Sequence, residues 1–171
     1  MKRVTLRFWL LFAAALVLGV LLHFLYDWFS NGITALISPV RESIWEHLKV
    51  LFYPLIVFGL LPAVKRGWIP WLCSILLSCG MLLLFGWFYH IVIKGDALFV
   101  DLILYAVFMY AGFRLPRLLW PLAEWPGVGA ACAMLTLLLA VLLAVFSFAP
   151  PDNILFADLS GGIHTFLTIP V

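Results

Sequence analysis

The chain has 171 residues, 66% of them hydrophobic and 11% charged, with a formal net charge of +2 and a mean hydropathy of +1.18. That leaves too little polar surface to cover a water-soluble globule, so lipid is the main solvent and there is no room for a separate soluble domain. The few basic residues form no run, which excludes a nucleic-acid partner.

The first apolar run, 8–27, follows Lys2, Arg3 and Arg7. Its small residues Ala13, Ala14 and Ala15 are followed by Leu21, Leu22, His23 and Phe24, which offer no cleavage pattern, so it reads as a retained helix rather than a signal peptide. The second run, 44–64, is preceded by Ser38 and Pro39, a helix cap followed by a first-turn proline. Pro54 is expected to kink it. The third run is 68–93 and the fourth 97–113, closing near Pro116; the fifth is 128–148. Residues 149–171 carry Pro150, Pro151, Gly161 and Gly162 and read as an extracytoplasmic or re-entrant tail. The expectation is a single membrane domain, an all-α integral membrane bundle of five transmembrane helices. Gly59, Gly80, Gly86 and Gly112 are expected to permit close helix packing. Cys73, Cys79 and Cys132 lie in predicted spans without metal-ligand spacing and read as small core residues.

Lysine and arginine set the orientation. With the N-terminus cytoplasmic, Lys2, Arg3, Arg7, Lys65, Arg66, Arg114 and Arg117 lie inside, against only Arg41, Lys49 and Lys94 outside. The C-terminus is then extracytoplasmic. All four histidines, and every acid except Glu124, consequently gather at the outer end. His23, His90 and Asp101 fall about one turn inside their spans, and Glu46, His47 and Lys49 at or just beneath the boundary. Ionisable groups at such depth normally face the bundle interior and pair with one another.

Spacing sharpens this picture. His23 and Asp27 are four residues apart, as are Glu42 and Glu46, so on continuous helices each pair presents one face. His47 stands beside Glu46, and His90 arrives from the third span. Imidazole and carboxylate without thiolate suit a divalent metal such as zinc, manganese or iron, with His23, His47 and His90 as ligands. Glu46 and Asp101 are the candidates for catalytic acid–base groups, with Asp27 and Glu42 supporting them, and the same set suits proton transfer without a metal. Each residue also has a plain structural reading. Glu42 complements a helix N-terminus, Asp27 pairs with Arg41 or Lys49, His90 is a packed hydrogen-bonding residue, and His164 lies exposed in a glycine-rich loop.

The stretch Ser38-Pro39-Val40-Arg41-Glu42-Ser43-Ile44-Trp45-Glu46-His47-Leu48-Lys49 resembles a motif in a family of small uncharacterised bacterial multi-pass membrane proteins. There the pattern runs Pro-Val-Asn-Glu-Ser-Val/Ile-Trp-Glu-His-Leu-Lys, and Arg41 replaces its asparagine. The resemblance covers the first third of the chain and implies a bacterial plasma-membrane location, with no established activity attached.

Three functions remain open. The first is a metal-dependent enzyme acting on a lipid or lipid-linked substrate from the outer leaflet, although neither a His-Glu-x-x-His helix nor a nucleophile elbow is present. The second is a transporter or substrate-capturing subunit binding a small molecule, working with an oligomer or partner subunit. The third is a structural or assembly subunit in the bilayer.

Overall fold

The computed structural model of the chain describes residues 2–59, 61, 67–125 and 127–160. Among these residues there is no strand; the elements are α1 (Lys2–Trp28), α2 (Gly32–Ile37), α3 (Leu48–Gly59), α4 (Trp68–Trp87), α5 (Leu98–Leu118) and α6 (Val128–Phe148). A π-helical turn (Phe88–Val92) extends α4, and short 3-10 turns follow α5 and α6. Helices α1, α4 with its π turn, α5 and α6 are long and apolar enough to cross a membrane. The shorter α3 is equally apolar in character.

Helix α4 lies at the centre, packed against α3, α5 and α6, while α1 covers α3 and α5. Where these helices meet, Ala15, Leu51, Leu55, Ile75, Met109 and Leu143 are fully buried. Pro54 and Pro116 occur beyond the first turn of their helices, and in each case a neighbouring helix packs at the freed carbonyl. Pro116 has no N–H to give to Gly112, and the Ser74 hydroxyl on α4 donates to that carbonyl instead at 2.7 Å. Helix α5 therefore continues past the predicted end at 113 to Leu118. Pro54 likewise frees the carbonyl of Val50, against which Gly19 of α1 packs so closely that a methyl group there would meet it and overlap the Tyr105 hydroxyl.

The second run departs from expectation at its start. Helix α3 begins at Leu48 rather than Ile44, because residues 38–47 satisfy their backbone groups by other means. Ser38, expected to cap that helix, instead ends α2 in an extended conformation, with φ −117° and ψ 148°. Its hydroxyl donates to the Leu22 carbonyl at 2.6 Å and accepts from the Tyr26 amide at 3.0 Å, so it fastens the connection to α1. Capping passes to Ser43, whose hydroxyl accepts from the Glu46 amide at 3.2 Å.

The expectation for the cysteines is also corrected. Cys73 of α4 and Cys132 of α6 form a disulfide, with Cα atoms 5.7 Å apart, while Cys79 is free and buried. Which spans touch is not written in an apolar periodicity, so the pairing was invisible there. The bond ties α4 to α6 near their N-terminal ends.

The strongest polar contact inside the bundle is the ion pair between Glu46 and Lys49, at 2.7 Å, with side chains 2% and 0% exposed. The Lys49 ammonium also donates to the carbonyls of Ala35 at 2.7 Å and Ser38 at 3.0 Å, and lies 2.5 Å from the Ser147 hydroxyl of α6. Glu46 accepts from the Val40 amide at 3.1 Å and from the Ser147 hydroxyl at 3.2 Å. A charge left without its partner here is expensive, so Glu46→Leu or Lys49→Met alone should cost about 3–5 kcal/mol of stability. The double variant Glu46→Leu/Lys49→Met should recover most of that loss in detergent unfolding experiments; single variants as stable as the wild type would contradict the buried pair. Cys73 and Cys132 should resist alkylation in the denatured protein until a reductant is added.

Candidate functional site

The five apolar helices bring one set of ends together: the last turns of α1 and α6, the start of α3 and α5, and the π turn after α4. Between α1, α3, α4 and α5 these ends enclose a cavity of about 240 Å³. Its polar lining consists of His23, Glu42, His47, His90, Asp96, Asp101, Tyr105 and Ser160, while Val50, Leu82 and Leu104 supply apolar walls.

Glu42 sits between two histidines. Its Oε2 lies 3.2 Å from His47 Nε2, and its Oε1 lies 3.7 Å from His23 Nε2. The two imidazole rings have centroids 5.3 Å apart. One potential ligand atom from each of His23, Glu42 and His47 falls within 4.8 Å of the others. Three ligands about 2.0–2.2 Å from one zinc ion stand about 3–4 Å apart, so small side-chain adjustments would bring this trio onto a cation. The tautomer of His47 is set by its other nitrogen: Nδ1 lies 2.7 Å from the Ser43 carbonyl, which can only accept, so Nδ1–H donates and Nε2 is directed at Glu42. His23 has a buried Nδ1 without a hydrogen-bond partner.

The pair's electrostatics follow from this contact. The hydrogen bond from His47 holds the Glu42 carboxyl below the ordinary carboxylate range, against an opposing effect of burial. For His47, burial alone would lower the value, but the bonds to Glu42 and to the Ser43 carbonyl outweigh it and the imidazole is raised above 6.5. Glu42 and His47 thus form a charged pair sharing one proton, in the position a cation bound by both would replace.

His90 and Asp101 form the opposite wall. The π turn at Phe88–Val92 carries His90, and Asp101 stands in the first turn of α5. His90 Nε2 is 2.9 Å from Asp101 Oδ1, and Nδ1 is 2.9 Å from the Gly95 carbonyl. Both ring nitrogens are therefore occupied, and neither has a lone pair free for a metal. Asp101 is the more open of the two, 34% exposed against 14% for His90, so the imidazole holds the carboxylate from behind. The carbonyl of Gly95 is held by a tight connection: Lys94 is left-handed at φ 60°, the Gly95 amide bonds to the Tyr89 carbonyl at 2.9 Å, and the Tyr89 hydroxyl accepts from the Ala97 amide at 3.0 Å.

Of the residues singled out in the sequence, His23, Glu42, His47, His90 and Asp101 line one cavity. Glu46 does not; it is buried with Lys49. Asp27 is exposed at the end of α1, and His164 lies outside the described residues. The four-residue spacing of Glu42 and Glu46 does not put them on one face, because the chain between them is a turn and not a helix, with Glu42 directed to the cavity and Glu46 away from it. Sequence reasoning missed the role of Lys49. A lysine in an apolar run three residues after a glutamate was the available signal. Tyr105 and the tail residues Leu159 and Ser160, which complete the lining, left no comparable trace.

No curated protein and no solved structure matches the chain. Residues 2–165 match a family of unknown function, DUF6512, and the chain belongs to that family.

Proposed function

We propose that this chain is a plasma-membrane protein that crosses the bilayer five times, N-terminus cytoplasmic, and binds a divalent transition metal at its extracytoplasmic end through His23, Glu42 and His47. The observation that carries this reading is the convergence of two imidazoles and one carboxylate within 4.8 Å at the wall of a cavity large enough to admit a substrate group. Two histidines and a glutamate, with a position left open, form a donor set used for catalytic zinc. A bound cation of this kind supplies an acidified water molecule.

The enzyme reading gives the remaining residues distinct work. Asp101 accepts the proton of the attacking water, and His90 holds the carboxylate in place. The water oxygen bonds to the electrophilic centre of an ester or phosphoester, the bond to the leaving alcohol breaks, and the proton passes from Asp101 to that alcohol. The apolar lining of Val50, Leu82 and Leu104 beside these polar groups suits a lipid or lipid-linked substrate. Transport is less well supported, because towards the opposite end the helices close on the apolar side chains of Leu51, Leu55, Ile75 and Met109, all fully buried.

Two results test the reading. Elemental mass spectrometry of the purified chain after zinc exposure should find near-stoichiometric metal, reduced at least about tenfold in affinity by Glu42→Gln or His47→Ala; a wild-type protein without bound metal would falsify the site. The pH dependence has a defined sign. Glu42 stays ionised well below neutrality, so the competing proton is the one on His47, and zinc affinity should start to fall at a pH above 6.5 on acidification. Without metal the trend reverses: the Glu42–His47 pair contributes stability that is complete just below pH 6.5, is lost as the pH rises through the raised imidazole value, and is lost again in acid where the Glu42 carboxylate is protonated.

A further inference from the structure

The segment that follows α6 reaches the cavity wall through Leu159 and Ser160 and bonds to the connection carrying Glu42. After Pro150 and Pro151, Asn153 caps a 3-10 turn at Ile154–Phe156 by accepting from the Leu155 amide at 3.1 Å. Phe156 then packs between Trp45 and Phe146, with ring centroids 5.2 Å from each. Two backbone hydrogen bonds fix this strap to the site: the Trp45 amide donates to the Leu155 carbonyl at 3.1 Å, and the Leu159 amide donates to the Glu42 carbonyl at 2.7 Å. Leu159 and Ser160 continue into the cavity wall.

The bond from Leu159 is placed at a sensitive point. Glu42 is exposed on its side-chain end, lies in no helix, and is the one residue whose carboxylate reaches both histidines. Its own helix neighbours cannot hold it, since α3 begins only at Leu48. Its backbone is held instead from outside, by a chain segment more than a hundred residues away in sequence.

We propose that the strap over residues 149–160 positions Glu42, so that the His23–Glu42–His47 site is assembled only while the strap is docked. Leu159 acts through its main-chain amide, and Phe156 acts as the latch against Trp45. They are positioning residues that hold Glu42 and do not coordinate the cation. The inference rests on the metal reading above, and docking or release of the strap then switches the site between a preorganised and a loosened state.

The test uses the full chain in detergent with Co²⁺ alone as the probe, whose visible absorption reports nitrogen and oxygen ligation. Leu159→Pro deletes the amide donor, whereas Leu159→Ala keeps it. The proline variant should bind Co²⁺ about tenfold or more weakly, with a changed absorption band, as expected for loss of a group that orients a ligand. The alanine variant should bind as the wild type does. Phe156→Ala should weaken binding in the same way, with Phe156→Tyr restoring it, while thermal unfolding of the metal-free protein stays near the wild-type midpoint. Wild-type affinity in Leu159→Pro, or equal weakening in Leu159→Ala, would overturn the positioning role. Hydrogen exchange across residues 41–47 provides a metal-free arm: Leu159→Pro should speed exchange there. If the wild-type chain binds no Co²⁺, the metal reading fails by itself, and unchanged exchange in the proline variant is then the result that overturns the strap.

Discussion

The buried pair of Glu46 and Lys49 is the constraint on which the site depends. An ammonium and a carboxylate inside an apolar bundle persist only when each is neutralised and hydrogen-bonded, and here the required acceptors come from several places at once. Ala35 lies in α2 and Ser38 just after it, Glu46 in the turn before α3, Lys49 in the first turn of α3, and Ser147 in α6. Satisfying one lysine therefore draws three parts of the chain together. The connection cannot lift from the bundle without stranding a charge in lipid or in the apolar core.

That anchorage explains the dense polarity of residues 38–49. Ser38 grips α1, Ser43 caps the turn, and Trp45 packs on Phe146 and Phe156. Glu46 and Lys49 point inward, leaving Glu42 and His47 free to face the cavity. Structural and chemical residues alternate within one turn, and the structural ones hold the chemical ones. The opposite wall follows the same principle with different parts: the π turn and the Lys94–Gly95 corner hold His90, and His90 holds Asp101.

Much of this was legible in the residues. Charged groups are costly in an apolar bundle, so the few present had to cluster. The long helices followed from apolar length alone; His23, His47, His90 and Asp101 were marked by their depth, and Glu42 by its spacing from Glu46. What periodicity could not supply was the local geometry. Helical spacing placed Glu42 and Glu46 on one face, whereas Ser38, Ser43 and Pro39 make that stretch a turn and separate the two carboxylates. Pro116 suggested a helix end, but the Ser74 hydroxyl takes up the carbonyl it frees. The Cys73–Cys132 pairing and the docking of Leu159 on Glu42 depend on which distant segments meet, and no local pattern encodes that.

The central claim concerns the atoms that surround a bound cation, and X-ray absorption at the zinc edge reads them directly. The account predicts a shell of two imidazole nitrogens with one or two oxygens, at about 2.0–2.2 Å, and no sulfur, with one imidazole lost in His47→Ala. A spectrum showing only light oxygen neighbours, or one unchanged by His47→Ala, would contradict it.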